Sequence, residues 1–177
     1  MNNRKQRFSF CIILFMMAIL GIGFAANTAR AAASVEKWGR LSVKGANIVN
    51  QKGKKIQLKG VSTHGIAWFP QYVNQSCFKS FKKMGVNTIR IAFYSDPASG
   101  YTTELYGKIE EGVKHATDLG MYVILDWHIL NDGNPKIHQK EALKFFTRFA
   151  KKYRKQKNIL YEICNEPNGD VTWERDI

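Results

Sequence analysis

The sequence predicts an α/β protein of the (β/α)8 TIM-barrel type, with only about the first four βα units present and a short β-hairpin before them. Three observations lead there. Apolar, strand-like runs alternate with amphipathic helical spacing in the order β-α-β-α-β-α-β, at intervals of roughly thirty to thirty-seven residues. That is the pattern of a parallel sheet covered by helices on both faces. The polar residues of these runs gather at their carboxyl ends, where a barrel places its active site. No glycine-rich phosphate loop occurs, the device by which open doubly wound sheets usually hold ligands. A full barrel takes about 250 residues, so residues 34–177 are expected to form its N-terminal part.

The first 33 residues are expected to form a leader. Arg4, Lys5 and Arg7 precede an uncharged, mostly apolar run over 8–26, and "ANTARAAAS" then repeats the Ala-x-Ala pattern. This is the layout of a secretory signal peptide over residues 1–33, cut after Ala31 or Ala33. An uncleaved anchor is the alternative, because the run nearly reaches bilayer-spanning length. The protein is thus expected to be secreted, with no membrane contact after cleavage.

Residues 39–58 alternate and turn at Gly53 between lysines, which predicts the hairpin. A strand is expected over 56–62, then a helix over 75–84 stopped by Gly85. "NTIRIAFY" (87–94) is the second strand. Leu105, Ile109, Val113 and Ala116 fall on one side of a helix over 102–119, stopped by Gly120. "MYVILDWHI" (121–129) is a nearly continuous apolar strand, 139–153 an amphipathic helix, and "NILYEICNE" (158–166) the fourth strand.

Removing residues 1–33 takes away four positive charges and no negative ones, so the formal charge falls from +13 to +9. Such a surface can lie near an anionic cell wall. The lysines are scattered over solvated helix faces, and aromatics do not interleave with them, so no nucleic-acid partner is expected. Cys77 and Cys164, the two cysteines beyond the leader, are expected to be free and buried. The histidines lack ligand spacing, so no metal is implied, and nothing calls for a cofactor.

The chemistry gathers in "ILYEICNEPNGD" (159–170). Glu166 follows an apolar strand, Asn165 sets an amide beside it, and Pro167 turns the chain outward. At an apolar rim, desolvation would raise such a carboxyl and suit it to act as a general acid. A solvent-facing loop glutamate is the competing reading. Arg90, a cation inside an apolar strand, must be paired, through a salt bridge to Asp126, a catalytic carboxylate, or both. His128 shares strand parity with Asp126 and is either a substrate hydrogen-bonder or a satisfied core histidine. "STHGIAWFPQYVN" (62–74) brings His64, Trp68, Phe69 and Tyr72 into the first strand-to-helix loop, for sugar stacking or for packing.

"YEICNEPNG", with "KGVSTHGIAWF", "NTIRIAFY" and "YVILDWHI" before it in order, resembles glycoside hydrolase family five, the cellulase family A. The resemblance covers residues 39–174 and points to bacterial secreted endo-β-1,4-glucanases acting on β-glucan polysaccharide. It implies Glu166 as general acid/base and Asn165 as the partner of the sugar 2-hydroxyl. It also implies Arg90 as support of the nucleophile, His128 and Tyr94 at the cleavage subsite, and His64 and Trp68 on the sugars toward the non-reducing end. The family's nucleophile follows its seventh strand and has no counterpart here. Asp170, Glu174 and Asp176 alone follow Glu166, none at a strand end. The chain by itself is therefore expected to be inactive or nearly so. The alternative is a non-catalytic half barrel or sugar-binding module. Two open sheet edges and an apolar inner face would let such a half barrel self-associate.

Overall fold

A computed structural model describes residues 34–177. The expected signal peptide, residues 1–33, lies outside the described residues. No helix among those described is long and apolar enough to cross a membrane.

A short helix α1 (Ser34–Trp38) leads into an antiparallel hairpin of β1 (Ser42–Lys44) and β2 (Asn47–Val49). The hairpin turns at Gly45, which has φ +58°, and not at Gly53. Gly53 makes a second turn, leading to a lone bridge between Val49 and Lys55. The side chain of Asn50 holds that turn by accepting from the backbone N–H groups of Lys52 and Lys54.

Four parallel strands follow in the order β3 (Gly60–Gly65), β4 (Thr88–Tyr94), β5 (Tyr122–His128), β6 (Ile159–Glu162). Each pairs with its sequence neighbour, the order of successive barrel strands. Between them run α2 (Gln75–Lys83), α3 (Tyr106–Asp118) and α4 (Gln139–Tyr153), and α5 (Trp173–Asp176) follows β6. The first strand begins later than expected, because Asn87 occupies the backbone before it. Its Oδ1 accepts from Lys59 N–H at 2.9 Å and its Nδ2 donates to Gln57 C=O at 3.1 Å. The helix expected over 102–119 opens with a 3-10 turn, Thr103–Leu105, before α3 proper. Asn74 caps α2 by accepting from Cys77 N–H at 2.9 Å. Gly85 and Gly120, at φ +89° and +65°, end α2 and α3 in the left-handed conformation open to glycine.

The register assigns the sheet its two faces. Ile89, Ile91, Phe93, Val123, Leu125 and Trp127 meet Phe78 of α2, Ile109 and Val113 of α3, and Phe145 and Phe149 of α4 in one core. Phe145 is the hub: its ring lies within 6.1 Å of those of Phe93, Tyr106, Trp127, Phe146 and Phe149. Gly112 lets α3 approach closely, since a Cβ there would stand 2.8 Å from Val73 and 2.9 Å from Ile91.

The alternate residues Ser62, Thr88, Arg90, Tyr94, Asp126, His128 and Glu162 line the other face, together with Ala92, Ile124 and Leu160. Among the described residues the helices cover one face, not both. The second face, expected to be apolar, carries a row of charge. Its amino end meets the start of the domain, where Trp38 stacks on Tyr122 and the Tyr122 hydroxyl donates to Gly39 C=O at 2.7 Å. The cysteines are free, but Cys77 is only half-buried at the start of α2, while Cys164 is buried.

Candidate active site

The site is assembled at the carboxyl ends of β4, β5 and β6. Parallel register places Ala92, Asp126 and Glu162 side by side, and Arg90 lies two residues below Ala92 on the same face. Its guanidinium rises into the row of carboxylates. Arg90 Nε donates to Glu162 Oε2 at 2.8 Å and Nη2 to Glu162 Oε1 at 2.6 Å, a two-point grip. Nη2 also reaches Asn165 Oδ1 and Asp126 Oδ2, each at 2.9 Å. Arg90 therefore has the Asp126 salt bridge expected of it and a second, unexpected carboxylate partner in Glu162. The Glu162 hydrogen bond first, then the negative charges around it, hold the guanidinium proton more firmly against the opposing effect of burial.

Asp126 is fully buried. Its Oδ2 takes both Arg90 and His128 Nδ1, the latter at 2.6 Å, while Oδ1 has no partner. Burial pushes this carboxyl up, against the pull of the His128 hydrogen bond and the Arg90 charge. With Nδ1 held by Asp126, His128 turns its other nitrogen away from that pair. Its ring also meets Tyr94 edge-on at 5.1 Å. Burial, then the Asp126 charge, raises the Tyr94 phenol.

Asn165 is fixed from both ends of its amide, because Nδ2 donates to Ile129 C=O at 3.1 Å. Glu166 follows it and is exposed, so the burial expected to raise its carboxyl is not supplied by the described residues.

His64 closes β3 at φ +58°, the single non-glycine residue with positive φ among those described, and its Nδ1 accepts from Gly65 N–H at 2.7 Å. The proton of a neutral His64 ring is thereby assigned to Nε2. Trp68 lies 5.5 Å from His64 and 5.1 Å from Tyr94, centroid to centroid, with its N–H donated to Ser99 C=O at 3.0 Å. Gly65 permits this clustering, because a Cβ there would overlap the Tyr94 ring. The rings of Trp68, Phe69 and Tyr72 are exposed. The structure thus joins Arg90, His128 and Asn165 through shared hydrogen bonds, and Tyr94, His64 and Trp68 through ring contacts. No group of three or more potential metal ligands occurs among the described residues.

The sequence profile of Cellulase (glycosyl hydrolase family 5) matches residues 49–177. The chain belongs to this family. An endoglucanase of Clostridium saccharobutylicum is 43% identical over 181 aligned residues, covering 99% of this chain and 40% of the relative. Endoglucanase A of Butyrivibrio fibrisolvens is 43% identical over 77% of this chain and 34% of its own length. Among solved structures, the catalytic domain of Thermobifida fusca endoglucanase Cel5A superposes with a TM-score of 0.74 at 37% identity, covering 79% of this chain and 47% of that one. The fold is part of a family 5 (β/α)8 barrel, and the chain spans less than half the length of these relatives.

Sequence reasoning missed Glu162, as well as Ser95 and Asp132, which tie the loops after β4 and β5 together. Ser95 Oγ donates to Asp132 Oδ2 at 2.5 Å and lies 3.1 Å from His128 C=O. In the sequence Glu162 is only a polar interruption of an apolar strand, and it takes the strand register to set it beside Asp126.

Proposed function

We propose that this chain is the N-terminal part of the catalytic domain of a secreted, retaining β-glycoside hydrolase of the endo-1,4-β-glucanase type. Its substrate is β-glucan polysaccharide, and Glu166 is its general acid/base. The reading is carried by Asn165 and Glu166 in the loop just past β6, which ends at Glu162 and not at Glu166 as expected, with Asn165 anchored to the Arg90 cluster. Identity of about 40% to curated endoglucanases over nearly the whole chain supports the substrate class. A variant of the Thermobifida fusca catalytic domain is known in complex with cellotetraose. The leader-like residues 1–33 support export.

The mechanism would run in two steps on two carboxyl groups about 5–5.5 Å apart. Glu166 protonates the glycosidic oxygen as a second carboxylate attacks the anomeric carbon, breaking the bond to the leaving sugar and forming a glycosyl-enzyme. Glu166, now ionised, removes a proton from water, which releases the sugar with its β configuration retained. Asn165 Nδ2 keeps one N–H beyond its bond to Ile129, available to the 2-hydroxyl. His128, Tyr94, His64 and Trp68 supply hydrogen bonds and ring faces along the glucan.

The attacking carboxylate is assigned to sequence beyond these residues, in the length by which the relatives exceed this chain. Asp176 does not fit that role. It is buried at α5, accepts from Thr172 N–H and Arg175, and is held far below the usual carboxylate range by Arg175 first. The isolated 177-residue chain is accordingly expected to be inactive. The experiment is proton NMR of β-glucan hydrolysis by the full gene product. First release of the β-anomer supports the reading; release of the α-anomer, or no hydrolysis, contradicts it.

A further inference from the structure

The roles implied by the family resemblance leave Glu162 without one. Arg90 spends Nε and Nη2 on both oxygens of this one carboxylate, at 2.8 and 2.6 Å. A side-on pair of this kind fixes the plane of a guanidinium, not merely its position. The fixed plane directs Nη2 onto Asn165 Oδ1 and Asp126 Oδ2 and leaves Nη1 with only a long contact to Ser62 Oγ at 3.5 Å. Asn165 is thereby locked with its carbonyl toward Arg90 and its amide toward Ile129 C=O. Were the guanidinium to rotate, Asn165 would lose the contact that defines its flip, and Glu166 is the next residue.

Charge follows the same geometry. Arg90 is faced by Asp126 and His128 from β5, by Tyr94 from its own strand, by Glu162 from β6 and Glu166 beyond it, and by neutral Ser62 from β3, with His64 at that strand's end. Two carboxylates contact the cation, so its positive field at Glu166 is largely balanced.

We propose that Glu162 is a positioning residue for the glycosidase reaction: through its two-oxygen grip on Arg90 it sets the Asn165 amide and balances the positive charge beside the general acid. The proposal rests on the endoglucanase reading above. Its assigned action runs through Arg90, whereas that proposed for Glu166 is on the glycosidic oxygen.

The test compares Glu162→Gln and Glu162→Asp in the full gene product, using barley β-glucan across the pH range. The glutamine variant keeps the shape and loses the charge. Its kcat is expected to fall on the order of tenfold to a hundredfold, with KM changed less. The alkaline limb of its pH profile is expected to move down, because Glu162 no longer offsets the positive charge of Arg90 beside the general acid. The aspartate variant keeps the charge but falls short of Arg90; its limb is expected to stay while kcat falls. Parental kcat and both limbs unmoved in the glutamine variant would overturn the proposal, as would a lowered melting temperature with a parental rate and profile. Should the glutamine variant not fold, parental kcat in the aspartate variant overturns it equally. An inactive parent, or full activity with Glu166→Gln, would instead contradict the endoglucanase reading.

Discussion

Arg90 sits where an apolar strand should have no cation, and the neighbouring strands answer it with carboxylates at a common height. The need for a partner was legible in the sequence, and so was Asp126. Glu162 was not, because "ILYEIC" reads as a strand with one polar interruption until register places that residue beside Asp126. Lysine offers a point charge in place of the planar fork and cannot satisfy Glu162, Asn165 and Asp126 together. Arg90→Lys is therefore expected to lower stability by about 2 kcal/mol, since Asp126 is left buried with His128 alone. Urea unfolding measures this, and a midpoint at the parental value would contradict it. Glu166 shows the opposite failure. Its place after the strand was readable from Asn-Glu-Pro, yet its burial was not, because burial depends on residues distant in the chain.

At the scale of elements, periodicity located α4 to the residue and β4 and β5 to within one at either end. The first strand slid because a buried side chain, Asn87, captured backbone groups that periodicity assigned to the ladder. The hairpin turn moved because both Gly45 and Gly53 suit a turn, and only strand pairing separates them. Phe145 should be the costliest position on α4. Phe145→Ala is expected to remove about 3–5 kcal/mol by leaving a cavity between the helix and the sheet, read from thermal or urea unfolding. Helices α3 and α4 are also joined by Glu110, which takes Lys152 at 2.6 Å and Arg148 at 3.0 Å. The Lys152 hydrogen bond, chiefly, lowers the Glu110 carboxyl below its ordinary value. A lowered folded pKa means that this stability is present above about pH 4.3 and is lost as pH falls through the folded value. Acid unfolding below that pH should flatten in Glu110→Gln, and an unchanged acid slope would count against the linkage.

For the molecule as a whole, the sequential sheet order is what separates a barrel segment from an open doubly wound sheet, and the lack of a phosphate loop in the sequence already pointed to it. β3 and β6 form the two edges of the four-stranded sheet, with Ile163 exposed just past β6. Such edges are templates for pairing with another chain. We expect the isolated 177-residue chain to self-associate, and sedimentation velocity showing only monomer at micromolar concentration would contradict this. For catalysis, the proposed retaining mechanism requires two carboxyl groups, and Glu166 is assigned the role of one of them. The most direct measurement is kcat/KM of Glu166→Gln in the full gene product, which reports glycosylation and not the later base-assisted hydrolysis, on two substrates, β-glucan and an aryl cellobioside whose leaving group needs no proton. Loss of a general acid should slow glucan hydrolysis by on the order of 10²–10⁴ while sparing formation of the glycosyl-enzyme from the aryl substrate. An equal loss on both substrates, or none on either, would contradict the assignment of Glu166 as the proton donor.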